Sequence, residues 1–271
     1  MEFEVRLLKS KLFSKESVLF KYLPSIVFFI IFVFAWEILV PLSGVPRWLV
    51  PVPSAILREL KRVSLNGSLT QHISVTMIEI VIGFAIGAGI GLAMGIGIAY
   101  SAALEKIIYP LAIIVKVVPV TAIAPILVIW FGYGIWSKAV VVALICFFPF
   151  VVGTATGLRS VERSLVDLLN SLSASGRQTF FKVRLPWALP HIISALKIAV
   201  TMSVIGAVVG EFVGSREGLG YLVLVSLTYL NTPLVFATIF VLAAIGISLF
   251  LIAVLVERVL TPWAISEEQK G

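Results

Sequence analysis

SVTMIEIVIGFAIGAGIGLAMGIGIAY, residues 74–100, is a run of 27 residues with one charge, Glu79. An α-helix needs about 20 apolar residues to cross the hydrocarbon of a bilayer, so this run is long enough to span. Gly83, Gly87, Gly91 and Gly95 recur every four residues within it, with Gly89 and Gly97 beside them. Positions four apart share a helical face, and a glycine face lets a second backbone approach closely. The stretch therefore reads as a membrane helix with a packing face. Its fragment GAGIGL is not a nucleotide-binding turn, because the third glycine of that fingerprint is missing and no strand precedes it.

The rest of the chain agrees. Of 271 residues, 60% are hydrophobic and 13% charged, and the mean hydropathy is +1.11. Soluble domains carry about 25% charged residues, so most of this surface faces lipid. The net charge of +7 does not indicate a nucleic-acid partner, since the basic residues are not gathered on a hydrated face and long apolar runs dominate. Cys146, the single cysteine, lies in the apolar run ALICFFPF. It cannot form a disulfide within the chain and reads as packing at lipid depth. The apolar run after the basic N-terminus is too long for a signal-peptide core and lacks an A-x-A cleavage site, so it reads as the first span.

Six stretches qualify as spans: 22–42, 74–100, 108–131, 139–158, 188–213 and 233–256. Cytoplasmic segments hold the excess of Lys and Arg. With the N-terminus inside, thirteen basic residues fall on inner segments and six on outer ones, Lys138 among the latter. Both termini are predicted to be cytoplasmic. The basic cluster at 58–62 dissents, and SAILRELKRV reads as a short outer helix lying at the interface and opening after Pro53 and Ser54.

Catalytic chemistry has no place to gather. His72 and His191 are the only histidines, and no H-x-x-x-H or C-x-x-C spacing offers a metal site. Glu37, Glu79 and Glu211 lie inside spans near their outer ends, where a charge needs a partner, water or the interface. Each reads first as interfacial or ion-paired, with Glu211 and then Glu79 the candidates for a transport path. Lys116 and Lys197 are close enough to the inner interface to snorkel. Trp130, Phe131, Tyr133 and Trp136 read as an aromatic belt. The dipeptide Gly-Lys, needed by a phosphate-cradling Walker loop, is absent. If ATP powers transport here, another polypeptide hydrolyses it.

The inner segment 159–187 is unusual in length. Ser164 and Asp167 have capping-box spacing. Leu165, Leu168, Leu169 and Leu172 follow on one helical face, and Gly176 is predicted to end that helix. A second stretch, RQTFFKVR, is predicted to stop at Leu185-Pro186. An apolar stripe facing water has to bury itself against a membrane surface or in a groove of a partner. The pattern leaves both open.

The run DLLNSLSASGRQTFFKVRLPWALPHI, 167–192, resembles the EAA loop of inner-membrane permease subunits of ABC importers. On that alignment Asp167 stands at the glutamate, Leu168 and Leu169 at the two alanines, Ser173 at the glycine, and Leu185 and Pro186 at the closing pair. ILVIWFG (126–132), LPWALPHIISALKIA (185–199) and GEFVGSREGLGYL (210–222) resemble the nitrate, sulfonate and taurine permease group, and the last also resembles permeases for thiamine-precursor pyrimidines or riboflavin.

The resemblance implies an all-α membrane protein of the type I ABC importer permease kind: six transmembrane helices, a multi-pass protein of the cell inner (plasma) membrane. It implies a cytoplasmic segment 1–21 and a single permease domain 22–271 with a coupling loop at 159–187. Asp167, Leu168, Leu169, Leu172, Ser173, Gly176, Leu185 and Pro186 would couple to the ATPase, while Gly83, Gly87, Gly91 and Gly95 pack helices. Implied partners are a cytoplasmic ABC ATPase dimer, an extracytoplasmic solute-binding protein, a second permease copy and the lipid bilayer, with no nucleic acid. The chain binds no cofactor on this reading; ATP and Mg belong to the ATPase. An ion-gradient-driven secondary transporter is the alternative, though the paired repeats common in that class are not found.

Overall fold

The computed structural model describes residues 23–46 and 48–263. The predicted cytoplasmic segment 1–21, Arg47 and Lys270 lie outside the described residues. Helix α1, Leu23–Leu42, is a first span. It is followed by α2 (Pro53–Leu65), α3 (Ser68–Tyr100), α4 (Ala102–Val117), α5 (Val120–Phe131), α6 (Ile135–Arg159), α7 (Arg163–Ser171), α8 (Gly176–Thr179), a π-helical turn (Phe180–Arg184), α9 (Leu185–Gly214), α10 (Leu219–Thr228) and α11 (Thr232–Leu260). Five helical stretches are long and apolar enough to cross a membrane, six if the bent pair α4 and α5 is counted as one span.

The centre is α3 against α6, backbone to backbone. A Cβ on Gly83 would fall 2.5 Å from the Ala139 carbonyl oxygen, and one on Gly87 2.7 Å from that of Ala143. At Gly91 the nearest atom would be the Phe147 oxygen at 2.5 Å, and at Gly95 Thr154 Cβ at 2.6 Å. Each four-residue step along α3 meets a four-residue step along α6 in the same direction, so the two helices run parallel with glycines buried along the seam. Gly89, off this face, has open space beside it. Helix α9 packs antiparallel on the other side of α6: Gly153 meets His191 and Ala195, and Gly210 meets Lys138. The core they share contains Ile80, Val142, Cys146, Phe150, Ala195, Ala199 and Ala207. Cys146 is wholly buried between helices, its thiol donating to the Ala199 carbonyl at 3.3 Å.

Five sequence expectations change. The span predicted at 108–131 breaks at Val118 and Pro119, and α4 and α5 meet at 97°. Pro119 holds its predecessor extended and donates no backbone hydrogen bond, so the α4 helix ends there. Conversely, Leu185-Pro186 does not stop a helix. Residues Gly176–Gly214 form one continuous 39-residue stretch, because the backbone widens into a π turn just ahead of Pro186 and the Leu185 amide bonds the Phe180 carbonyl. That widening makes room for a ring that would strike the carbonyl four residues earlier in a regular helix.

Lys138 is not in an outer loop. It sits in the first turns of α6 at 1% exposure. Helix α7 opens after Glu162 rather than at Ser164, whose hydroxyl instead donates to the Glu162 carboxylate at 3.2 Å. It ends at Ser171, and Gly176 opens α8. The full capping box is at Ser175 and Gln178, where each side chain satisfies the other's backbone amide.

Candidate functional site

Three groups of residues stand out, one at each end of the bundle and one between. At the end that carries the 159–187 loop, Arg159 closes α6. Its guanidinium donates to both Glu105 carboxylate oxygens, at 2.6 and 2.8 Å, and to the Ile98 carbonyl at 2.5 Å. A planar fork on a carboxylate fixes direction as well as distance, so the loop's root is tied to the ends of α3 and α4. On its return the chain is held by Arg184, 5.0 Å above the Tyr100 ring, and by Phe180, 6.2 Å from the same ring.

Between these anchors α7 stands clear. None of its residues is buried; Leu165 and Leu169 are half-buried, while Leu168 and Leu172 are 56% and 69% exposed. Asp167 is exposed and borders a recess of about 410 Å³ with Arg159, Arg163 and Arg184. The C-terminus of α7 is closed by a Schellman pattern, Ala174 N–H to Leu169 O and Ser173 N–H to Asn170 O, each 3.0 Å. Ser173 has φ +58°. It occupies the position at which the family resemblance places glycine, the residue best suited to that left-handed conformation. Leu185 and Pro186 are half-buried where the loop enters α9.

At the far end, Glu211 of α9 and Glu79 of α3 are both 1% exposed. The structure brings their carboxyls close together, and Glu79 Oε2 is buried without a hydrogen-bond partner. Glu211 accepts from Thr76 Oγ1 at 2.6 Å, from the Gly220 amide, and from the Tyr221 amide at 3.3 Å. Thr76 Oγ1 in turn accepts from the Leu219 amide at 2.8 Å, and His72 Nδ1 from the Gly218 amide at 3.0 Å. The free amides that open α10 are thereby satisfied by side chains of α3 and α9. Gly218 and Gly220 have no room for a Cβ because the Glu211 carboxylate lies against both. Lys138 donates to the carbonyls of Tyr133, Gly134 and Gly214 at 2.7, 3.2 and 2.5 Å, joining the start of α6 to the end of α9. Glu37 is satisfied elsewhere, accepting from the Ser54 amide and hydroxyl at the start of α2, at 2.9 and 2.7 Å.

The third group lines a cavity of about 660 Å³ between the α4–α5 elbow, α6 and α9. Most of its wall is apolar. Lys116, Thr156, His191 and Ser194 supply the polar positions. Lys116 Nζ lies 4.3 Å from the centre of the Phe148 ring, whereas Lys197 pairs with Glu257 at 2.7 Å. Sequence reasoning missed this group, because its members come from three helices at no fixed spacing. It also missed Lys138, Thr76 and the Gly218/Gly220 pair, although the G-x-G at the start of a short apolar run was a usable signal.

Residues 85–262 match the model of the family described as binding-protein-dependent transport system inner membrane component. A formylaminopyrimidine transport permease of Halalkalibacterium halodurans is 38% identical over 237 residues, 87% of this chain and 94% of that protein. A riboflavin transport system permease of Chloroflexus aurantiacus is 36% identical over 231 residues, 85% of this chain and 86% of that one. A taurine transport system permease of Escherichia coli is 29% identical over 233 residues, 84% and 85% of the two chains. Among solved structures, the methionine ABC transporter MetNI in inward-facing conformations aligns with a TM-score of 0.64 at 18% identity, covering 73% of this chain and 98% of that one. That likeness bears on the fold. With family model and relatives agreeing over most of its length, the chain belongs to the inner-membrane permeases of binding-protein-dependent ABC importers, multi-pass subunits that work with an ATPase and a solute-binding protein.

Proposed function

We propose that this permease serves an importer of a small planar heteroaromatic solute, acts as a homodimer, and takes up the movement of the ATPase through α7. The single observation that carries the substrate class is the order of the relatives: those named for a formylaminopyrimidine and for riboflavin are 38% and 36% identical, and the one named for taurine 29%. In this reading ATP and Mg bind the ATPase alone. Leu168 and Leu172 enter a groove of that subunit, Leu165 and Leu169 keep α7 seated, and Asp167 lies at the rim. Ser173 and Gly176 shape the exit from α7, and Leu185 and Pro186 join the loop to α9. Arg159 passes the displacement to α3 and α4. Glu79 and Glu211 act on the path by holding α10 in place.

The experiment is to purify the cognate solute-binding protein, identify its ligand by mass spectrometry, and measure uptake of that ligand by proteoliposomes holding the permease and its ATPase. A ring compound taken up only with ATP, and unaffected by ionophores, is the expected result. An inorganic anion or an alkylsulfonate as ligand would refute the ring class, and uptake that needs an ion gradient instead of ATP would refute the coupling.

A further inference from the structure

The turn that joins α9 to α10, residues 215–218, is held by four side chains. Lys138 takes the Gly214 carbonyl, Glu211 the Gly220 and Tyr221 amides, and Thr76 Oγ1 the Leu219 amide. The fourth is His72, whose Nδ1 accepts from the Gly218 amide at 3.0 Å. Of these side-chain types, only imidazole ordinarily changes charge between pH 5 and 8. An Nδ1 that accepts from an amide carries no proton, so the bond assigns His72 as the neutral tautomer protonated at Nε2. The imidazolium has an N–H at both nitrogens. It would set two donors face to face and leave the amide of buried Gly218 without its acceptor. The ring is half-buried, so a proton from water reaches it.

A second partner for the charged ring stands in the same turn. Glu217 is exposed, accepts from Gln71 Nε2 at 2.8 Å, and is the charge that acts on the imidazole. The remaining groups around His72 come from each element packed there. The turn adds exposed Arg216, and α10 the Tyr221 ring at 6.1 Å between centroids. Helix α9 brings Glu211, bonded to Thr76 one turn deeper on α3, and Glu79 lies a further turn in. Helix α2, packed on the start of α3, carries Arg58, Lys61 and the pair Glu59–Arg62 at 2.7 Å.

We propose that His72 is an acid-released latch: neutral, it fastens the Gly218 amide; protonated, it lets go and pairs with Glu217, freeing the α9–α10 turn. The sign follows from the bond. Closure needs the neutral ring and belongs to the upper part of the range from pH 5 to 8, and release comes as the pH falls. The other three holds keep α10 in place, so release is confined to the turn. The turn lies at the end of the bundle opposite the 159–187 loop. What the latch regulates rests on the reading above, in which that end faces the solute-binding protein and uptake would follow the state of the turn; the latch itself does not depend on that reading.

The test is hydrogen exchange of the full permease–ATPase complex in nanodiscs, read at the Gly218 amide by fragmentation mass spectrometry and corrected for the intrinsic pH dependence of exchange. Protection of that amide is expected to fall about tenfold between pH 8 and pH 5. His72→Gln offers an amide oxygen at every pH and is expected to hold protection constant across the range, while His72→Ala should lack it throughout. If His72→Ala does not fold, the parent and His72→Gln carry the comparison. Equal protection at the two pH values in the parent would overturn the latch. A loss that persists in His72→Gln would place the titration on Glu217 or on the Glu79–Glu211 pair and would overturn it as well. ATP-driven uptake by proteoliposomes at the same two pH values reads the consequence, with a pH response in the parent that His72→Gln flattens. Uptake with the same pH response in both, beside an exchange result as expected, would overturn the regulatory role and leave the latch standing.

Discussion

Replacing Leu168 and Leu172 together by alanine tests the coupling helix where it is most exposed. The two side chains keep 56% and 69% of their surface in the isolated chain. Full burial of a leucine contributes about 1.5–3 kcal/mol, so docking in a groove has roughly 1 kcal/mol or more left to gain at each. The pair then contributes about 2 kcal/mol, about 30-fold in the Kd for the ATPase. Aspartate at both positions should do more harm, since it also places carboxylates in an apolar groove. The permease itself should be unharmed, because neither leucine is buried within it. Fluorescently labelled ATPase titrated against nanodisc-held permease reads the Kd, and ATP-driven uptake reads the consequence. Leu57→Ala, on a leucine 65% exposed at the opposite end of the bundle, is the control. A double alanine variant that binds within about threefold of the parent would refute the assignment of α7 as the docking element.

Other features give independent tests. Gly87→Val would drive side-chain atoms into the Ala143 carbonyl and Cys146 Cβ, with the first carbon already at 2.7 and 3.1 Å. Such overpacking costs about 1–3 kcal/mol or more, whereas Gly89→Ala meets open space and should be neutral or gain about 0.5–1 kcal/mol; thermal unfolding in detergent compares them. Ser173→Gly removes a side chain from φ +58° and should stabilise the end of α7 by about 1 kcal/mol, while Ser173→Val should loosen it; limited proteolysis of the loop measures both. Glu211→Ala leaves Thr76 and the amides of Gly220 and Tyr221 without their acceptor, at about 1–3 kcal/mol per stranded donor. Hydrogen exchange at the start of α10 should accelerate, and unchanged protection there would refute the docking role of the carboxylate.

Much of this architecture could be read from local pattern. A glycine every fourth residue states both that α3 is a helix and which face it packs, and the leucine stripe of α7 states that something must cover it. Legibility failed wherever the deciding partner is distant in sequence or the backbone is irregular. A proline ended a helix at Pro119 and was absorbed at Pro186, because in the second case the preceding turn widened to admit it. No window around Pro186 reveals that widening. Lys138 reads as a loop residue until the carbonyls of Gly214 and Tyr133 are seen around its ammonium. The elbow cavity was invisible because Lys116, Phe148 and His191 share no spacing.

The far-end carboxyl cluster also bears on how the chain is made. Glu79 lies in α3, but Lys138 follows 59 residues later and Glu211 a further 73. During synthesis α3 therefore enters the bilayer with its carboxyl and its glycine face both lacking the neighbours they have in the finished chain. A single carboxyl costs about 3 kcal/mol at mid-helix on insertion scales, which the surrounding Ile, Val and Leu offset. The segment can thus be inserted early and cheaply, but it cannot be completed until α6 arrives to fill the seam and α9 brings the second carboxyl. A ribosome stalled before residue 211 would leave an integrated yet unfastened bundle, its α3 open to membrane quality-control proteases.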